Sequence, residues 1–599
     1  MVAQSKRNLS NDAIAKIGIG SITAQELLHR LESMPLPANM QSHQVDTVKR
    51  NAISALIAER LLAMESRRRG IKEDSLTLRM RRGLEDLLIR DELFRRIGEQ
   101  TIPPTEEEIY FGMKKYNTNL HVLAFRVQTE ESGKRLIAEL KRLRNIDSLV
   151  LLVPLTFYLE KDTITIGFGA PDTAFERAAF EIGSSRISNT FLSSNVGWVV
   201  LYLLEKRPNP IASKLSSSER RHRVERMLRS ERELEAAWKY YNSLLSSKFA
   251  QVDSTLFNLL SDSIAALWNQ DTIAFHRSNG YFISSETVEI LLDRLKPFLG
   301  MPITAIDDEN ITLGDLLEMF RYEYFISPER QGMLFKVRLN QQVKQLVGSA
   351  FIAQEGRSQN LLNSAYVQTD LRMWTDYWAA RSLYYQLRDS TSVSREEILQ
   401  HLLNNKEIFG QKYEVNVREL LCNSIVGLDS VLAKLNDSVS FSDIAKNYSK
   451  RKQWAENGGE SGFFPIINHP EIGFNALLED TGKLVGPVQT PEGYSVFIVL
   501  GKRQKGENFI SFEILKKNIY DRLLKEKQKQ TIDRFIAELA RREQVTINYA
   551  ALKKLKITNI PMFTRRHIGF GGMMSVAPIF LPQWEWIKEF QKPIQSINQ

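Results

Sequence analysis

The sequence predicts an α+β protein with an internal duplication. Each of two modules runs from a helical segment through a compact mixed α/β unit to a long returning helix. Three observations carry that prediction. Collinear matches recur with a period of about 290 residues. Apolar residues recur at helical spacing in the segments flanking the mixed units. Alternating, β-branched-rich runs close each mixed unit and read as strands.

The duplication is legible element by element. Ser21-Ile22-Thr23-Ala24-Gln25-Glu26-Leu27-Leu28 matches Asn310-Ile311-Thr312-Leu313-Gly314-Asp315-Leu316-Leu317. In each copy a Thr N-cap precedes an acidic residue three positions on, then an apolar stripe, which is a helix start. Glu107-Glu108-Ile109 matches Glu396-Glu397-Ile398 at a second helix start. Gly197-Trp198-Val199 through Lys206-Arg207 matches Gly493-Tyr494-Ser495 through Lys502-Arg503, two strands. Val224, Leu228, Tyr240, Tyr241, Leu244, Val252 and Leu260 match Ile519, Leu523, Phe535, Ile536, Leu539, Ile547 and Leu555 at a constant offset of 295. Each of these sets reads as one long helix. Ile53, Ile57, Leu61 and Met64 form one apolar face, and Leu88, Phe94 and Ile97 continue a second helix before Pro103-Pro104. The chain therefore divides into a helical segment 11–104, a mixed unit 105–207, a returning helix 208–260 and an insert 261–300. A second helical segment 301–407, a mixed unit 408–505, a returning helix 506–555 and a C-terminal extension 556–599 follow.

Composition narrows the function classes. A length of 599 residues suggests about three to six domains. With 43% hydrophobic and 25% charged residues, wholesale disorder and a collagen-like chain are excluded. No apolar run approaches the ~18–20 residues needed to span a bilayer. Ser148 to Leu159 is short and contains Pro154, and Ile568 to Trp586 is broken by Gly571, Gly572, Pro578 and Pro582. The single cysteine, Cys422, excludes intramolecular disulfides and a Cys-based zinc site. Met1 to Ser10 lacks an apolar h-region, so the chain is expected to be cytoplasmic or a mature form with its signal removed. The net charge of +9 is mild. Arg67-Arg68-Arg69, Arg79-Met80-Arg81-Arg82 and Arg220-Arg221-His222-Arg223 are interrupted by acids and read as solvated helix faces, not a nucleic-acid site. No phosphate-binding Gly-rich motif and no His-Glu-x-x-His spacing occurs. Gly569-Phe570-Gly571-Gly572 reads as a flexible turn. Isolated histidines such as His276 and His469 read as surface or core. No cofactor and no metal is expected.

The second mixed unit is the most specific stretch. Val415 to Cys422 reads as a strand, with helical patterns at Gly427–Leu435 and Phe441–Tyr448. Gly458-Gly459-Glu460-Ser461-Gly462-Phe463-Phe464, a helix carrying Phe474, Leu477 and Leu478, Gly486-Pro487-Val488-Gln489-Thr490 and Gly493-Tyr494-Ser495 follow in order. This run of about 90 residues resembles the parvulin family of peptidyl-prolyl isomerases. The resemblance implies a four-stranded antiparallel sheet with helices. The first unit resembles a degenerate parvulin. It keeps Leu120-His121-Val122-Leu123, Ala174 to Phe180, Ile187-Ser188 and Gly197-Trp198-Val199. Only Gly167-Phe168-Gly169 remains of the Gly-Gly loop, and Ile146–Lys161 replaces the Ser-containing loop. With their flanking helices, the modules resemble SurA-type and PpiD-type folding factors of the bacterial periplasm, which receive unfolded outer-membrane proteins.

The resemblance also assigns a candidate site. The family pairs an apolar proline pocket with a polar cluster of two histidines and an Asp or Cys. Phe474 stands at the pocket Phe, Thr490 at the pocket Thr and Phe464 after the Gly-Gly loop, while Ser461 replaces a usual Leu and Pro470 a usual Met. Glu419 and Ser495 occupy the two histidine positions, and the Asp/Cys position falls near Arg451 or Lys452. In the first copy His121 fits the first histidine and Val199 fills the second. What this implies is a helical, chaperone-like core with two parvulin-like domains. It would be a SurA-like, ATP-independent folding chaperone whose isomerase activity is weak or lost and limited to 408–505. Its partners would be unfolded or extended polypeptide clients, with no nucleic acid and no nucleotide, near a membrane but without a transmembrane helix. The periplasm is the implied compartment, with the cytoplasm second. Two alternatives stay open: an active isomerase, and a non-catalytic scaffold in a fixed complex. Phe580, Trp584, Trp586 and Phe590 would suit a docking tail for such a complex, although a tail packed back onto the N-terminal helices is the favoured reading.

Overall fold

The computed structural model describes residues 13–593 apart from 38–39, 143–157, 171, 194–196, 247–250, 271–274, 277–279, 307–308, 324, 436–438, 506–511 and 559–561. The expected loop Ile146–Lys161 and the apolar run from Ser148 thus lie largely outside the described residues, as does Met1 to Ser10. The chain folds into two compact units, each discontinuous in sequence. One holds Met1–Thr77, Met373–Thr564 and Ser575–Gln599; the other holds Leu78–Arg372 and Arg565–Met574.

The first unit opens with a hairpin, Ala13–Ile17 and Gly20–Thr23, then a helix Ala24–Leu31. Thr23 caps that helix by accepting the Glu26 backbone N–H at 3.1 Å. The helix Ser42–Arg68 buries Ile53, Ile57, Leu61 and Leu62 against Ile532, Ile536 and Leu539 of the helix Phe512–Arg542. Within this apolar core Arg30 and Glu59, both buried, form a two-pronged ion pair at 2.7 and 2.9 Å. The tail joins the same core: Trp586 is fully buried and its Nε1–H donates to the Ser54 carbonyl at 2.9 Å. This is the packed-back arrangement rather than a free docking tail.

The second unit repeats the plan. A hairpin, Pro302–Ile306 and Glu309–Thr312, leads to a helix Leu313–Met319 capped by Thr312, and then to a helix Met333–Ser358. Leu313, Leu316, Leu339 and Val343 pack with Leu256, Leu260, Ile264 and Trp268. Tyr281, Ile283, Val288 and Leu291, from the segment read as an insert, belong to this core.

Each unit also carries a four-stranded antiparallel sheet of one topology. In the second unit the order is Tyr158–Ile166, Thr118–Val127, Gly197–Pro208, Phe191–Ser193. In the first it is Phe464–Pro465, Tyr413–Cys422, Gly493–Gln504, Leu484–Thr490.

The returning helices are shorter than the sequence pattern suggests. The first, Ser217–Leu245, is followed by a strand Gln251–Val252 and a new helix Ser254–Gln270. The second stops at Arg542, where Gln544 turns left-handed (φ 49°) and the Val545 N–H donates back to the Ala540 carbonyl at 2.9 Å. That closure ends a helix. Thr546–Ile547 then forms a strand and Tyr549–Lys554 a helix. Val252 and Ile547 kept a helical register in the sequence yet sit on strands, because their partners lie far away along the chain.

Candidate functional site

The site lies on the sheet of residues 413–504. Side chains alternate across a strand. Val415 and Val417 therefore share a face with Phe497 and Val499, and all four enter one core with Ile472 and Phe474. The same face continues to Glu419 and Ser495, both 0% exposed. Leu420, Cys422 and Val496 point the other way, toward Leu428, Phe441 and Ile444.

A carboxylate so buried must be paired. Ser495 Oγ donates to Glu419 Oε1 at 2.8 Å, and Arg451 Nε donates to Glu419 Oε2 at 2.7 Å. Arg451 reaches on to the exposed Glu492 through its two Nη atoms, at 3.4 and 3.2 Å. Burial pushes the Glu419 carboxyl up against the pull of Arg451 and Ser495. Arg451 is half-buried, and burial, the largest single influence on it, opposes its charge, but the hydrogen bonds and charges of Glu419 and Glu492 together outweigh this and raise its pKa. The sequence reading left the third polar position between Arg451 and Lys452; the geometry selects Arg451.

An aromatic cluster adjoins this network. The Arg451 guanidinium lies over the Trp454 ring at 4.6 Å. Trp454 stacks on Phe464 with centroids 5.4 Å apart, and His469 meets both edge-on, at 5.1 and 5.5 Å. Burial, then Arg451, lowers the His469 pKa. Phe464 is 9% exposed. Trp454 and His469 were missed: the sequence signal was an aromatic in the polar loop two residues after Lys452, and a His beside Pro470.

The Gly-Gly loop has a steric reason. Gly458 and Gly459 adopt φ of 61° and 85°. A Cβ on Gly459 would stand 2.6 Å from the Glu419 carbonyl oxygen and 2.7 Å from the Ala445 Cβ. The Gly459 carbonyl accepts the Glu419 N–H at 2.8 Å, so the loop lies directly against the strand that carries Glu419.

The remaining expected pocket residues serve the packing and the turns of the domain: Phe474 shares the core of Phe464 and Trp454, and Thr490 and Ser461 hold backbone groups. Phe474 is 0% exposed within Pro470–Leu478, a helix whose residues from Ile472 to Leu478 are all buried. It is core, and it offers no face to a ligand. Thr490 Oγ1 donates to the Gly493 carbonyl at 3.1 Å and staples a turn. Ser461 Oγ accepts the Val417 N–H at 3.0 Å and donates to the Gly462 carbonyl at 2.8 Å, extending the sheet edge.

In the first mixed unit the register corrects one assignment. Its long strand pair carries a bulge at His121/Val122, and the later unit carries its own at Asn416/Val417. With the bulges superposed, His121 corresponds to Asn416, and the positions of Glu419 and Ser495 fall on Ala124 and Val199. Both are buried in an apolar cluster with Val122, Leu201 and Leu203. His121 instead lies near Thr165 Oγ1, at 3.2 Å through Nδ1.

The basic clusters are paired within the chain. Arg68 and Arg69 meet Glu65, Arg79 meets Glu318, and Arg221 meets Glu106. Among the described residues no helix is long and apolar enough to cross a membrane, and no group of three or more His, Cys, Asp or Glu could hold a metal ion.

Residues 424–500 match the model of the rotamase family, the PPIC-type PPIASE domain. Foldase protein PrsA of Oceanobacillus iheyensis is 30% identical over 162 residues, which are 27% of this chain and 52% of that protein. The chain thus spans about half the length of that relative. Peptidyl-prolyl cis-trans isomerase PIN4 of Gibberella zeae is 32% identical over 95 residues, 15% of this chain and 69% of that protein. A solved structure of SurA-like chaperones of Campylobacter jejuni is 19% identical, covers 41% of this chain and 100% of its own, and has a TM-score of 0.19. The matched domain, whose sheet carries Glu419 and Ser495 at the two expected histidine positions, places the chain in the parvulin-type peptidyl-prolyl isomerase family.

Proposed function

We propose that the chain is an ATP-independent folding factor for extended, unfolded polypeptides in an exported compartment, the periplasm. Its isomerase chemistry would be weak and confined to residues 408–505. The single observation that carries this reading is the buried Ser495–Glu419–Arg451 network beside Trp454, Phe464 and His469. Rotation about an X-Pro bond must break amide conjugation across a barrier of ~18–20 kcal/mol. A site accelerates it by holding the twisted amide better than the planar one. The aromatic trio supplies apolar surface for a proline ring. Arg451 engages three of its N–H groups with Glu419 and Glu492, out of five on a guanidinium. A nearby cation can favour a pyramidal prolyl nitrogen, which accepts a hydrogen bond once conjugation is lost. With Glu419 in place of an imidazole, proton-linked tuning of that nitrogen is gone, so turnover is low. The relative's designation as a foldase supports polypeptide as the client. The first mixed unit, with Ala124 and Val199 buried at the equivalent positions, lacks the polar network, which supports confining the chemistry to residues 408–505.

The test uses the full chain and an Ala-Ala-Pro-Phe-type peptide in an NMR exchange assay, beside a client-aggregation assay. Slow turnover that falls about tenfold in Trp454→Ala, about 1.4 kcal/mol of barrier, supports this site. Turnover unchanged by Trp454→Ala would move the chemistry elsewhere. Suppressed aggregation without turnover would leave a folding factor lacking isomerase activity. Neither activity would overturn the proposal.

A further inference from the structure

Each compact unit is assembled from both repeats, and the pieces correspond. Residues Ala15 and Lys16 pair with Ile547 and Thr546. Thr304 and Ala305 pair with Val252 and Gln251. The repeat offsets of 289 on the hairpins and 295 on the distal strands convert one pairing into the other, residue for residue. The hairpin bulges correspond too, at Ala13/Ala15 and at Pro302/Thr304. An ion pair follows the same rule: Arg67 meets Asp376 and Arg357 meets Asp86, both partners offset by 290.

In every case the N-terminal arm of one repeat completes the body of the other. The arm 13–68 packs on the helix Phe512–Arg542. In the other unit, Ile352 of the second arm packs with Ile89 and Leu93 of the helix Ser75–Glu99 and against Tyr240, Tyr241 and Leu244. The arms leave their own repeats at matching turns. Gly70 (φ 65°) and Asn360 (φ 58°) are both left-handed, and they too are 290 residues apart. Such turns after helix ends are where a segment exchange would hinge.

We infer that this chain is a segment-exchanged dimer of repeats joined in one polypeptide. Each repeat's N-terminal arm is a ligand for the body of the other repeat. The covalent join between repeats is not what holds either unit together; the exchanged arms are, through two apolar cores and a two-residue strand addition at each hairpin.

The test cuts the chain between residues 274 and 275. Coexpressed fragments 1–274 and 275–599 are expected to copurify at one to one. Lys16→Cys with Thr546→Cys is expected to form a disulfide between the two fragments, and an internal one in the uncut monomer. The native Cys422 is buried and stays out of the exchange. Each fragment alone is expected to self-associate or to fail to fold. The inference is overturned if the fragments fold as separate monomers. It is equally overturned if Lys16→Cys links to Gln251→Cys within one fragment in the coexpressed sample, because the arm would then close on its own repeat. Should cutting abolish folding of both fragments together, the uncut chain decides. Lys16→Cys/Thr546→Cys and Gln251→Cys/Ala305→Cys must both cross-link as monomers, and Lys16→Cys/Gln251→Cys must not.

Discussion

The two mixed units share a strand order and a bulge, yet one lines its sheet face with Ala124 and Val199 and the other with Glu419 and Ser495. Equivalent positions in one fold are thus apolar in one copy and charged in the other. The charged version persists only because a neighbouring loop delivers Arg451, and Ser495 satisfies the second carboxylate oxygen. The fold does not require the polar network. The network is a feature of one copy, and that is why the candidate chemistry is assigned to that copy.

The sharpest way to break the comparison is to move the charge without its partners. Ala124→Glu would set a carboxylate among Val122, Val199 and Leu201. Arg126, two residues along on the same strand face, is exposed, so the variant is best made with Arg126→Gln. The expected loss is about 4 kcal/mol, the scale of an uncompensated buried charge. Urea denaturation followed by hydrogen exchange of Thr118–Val127 measures it. A loss below about 1 kcal/mol would mean that this face admits a charge on its own.

Removing the partner instead of adding the charge is the next test. Arg451→Ala leaves Glu419 with Ser495 alone and also frees Glu492. The expected cost is about 3 kcal/mol, somewhat less than for the unpartnered carboxylate because Ser495 remains. Exchange of Tyr413–Cys422 reports it, while Thr118–Val127 should be unmoved.

Much of this comparison was legible in the sequence, and the failures share one cause. Phe441–Tyr448 and the Gly-Gly loop followed from local pattern and ordered motifs, and the family resemblance singled out Glu419 and Ser495, whose hydrogen bond only the structure shows. His121 was misplaced because a His followed by apolar residues on a strand does not by itself fix the register; the strand pairing puts His121 level with Asn416, three residues before the position of Glu419. Phe474 was read as a pocket residue, although Pro470–Leu478 is apolar nearly all round, so no polar side distinguished a ligand-facing position from a buried one. The exchange of arms was invisible for a related reason. Strands as short as Thr546–Ile547 and Gln251–Val252 carry too little pattern to be found, and their partners, Ala15–Lys16 and Thr304–Ala305, are not adjacent in sequence.

The smallest expected effect concerns pH, and it separates the two copies without touching packing. Burial raises the Glu419 carboxyl above its usual 4.5. Its folded state therefore holds a proton more tightly than the unfolded chain does. Unfolding free energy should then fall as pH rises from about 4.5 to the raised folded value, and stay level above it. Glu419→Gln keeps the shape and cannot titrate, so the difference between parent and variant isolates this slope from Glu414 and Glu492, whose carboxyls shift the other way. Urea midpoints across this range would show the parent losing stability relative to Glu419→Gln. The strand Thr118–Val127, with alanine at the equivalent position, should follow one pH profile in both proteins. A parent that gains stability over the same interval would mean that Arg451 outweighs burial, and that Glu419 is a fixed anion rather than a proton-holding group.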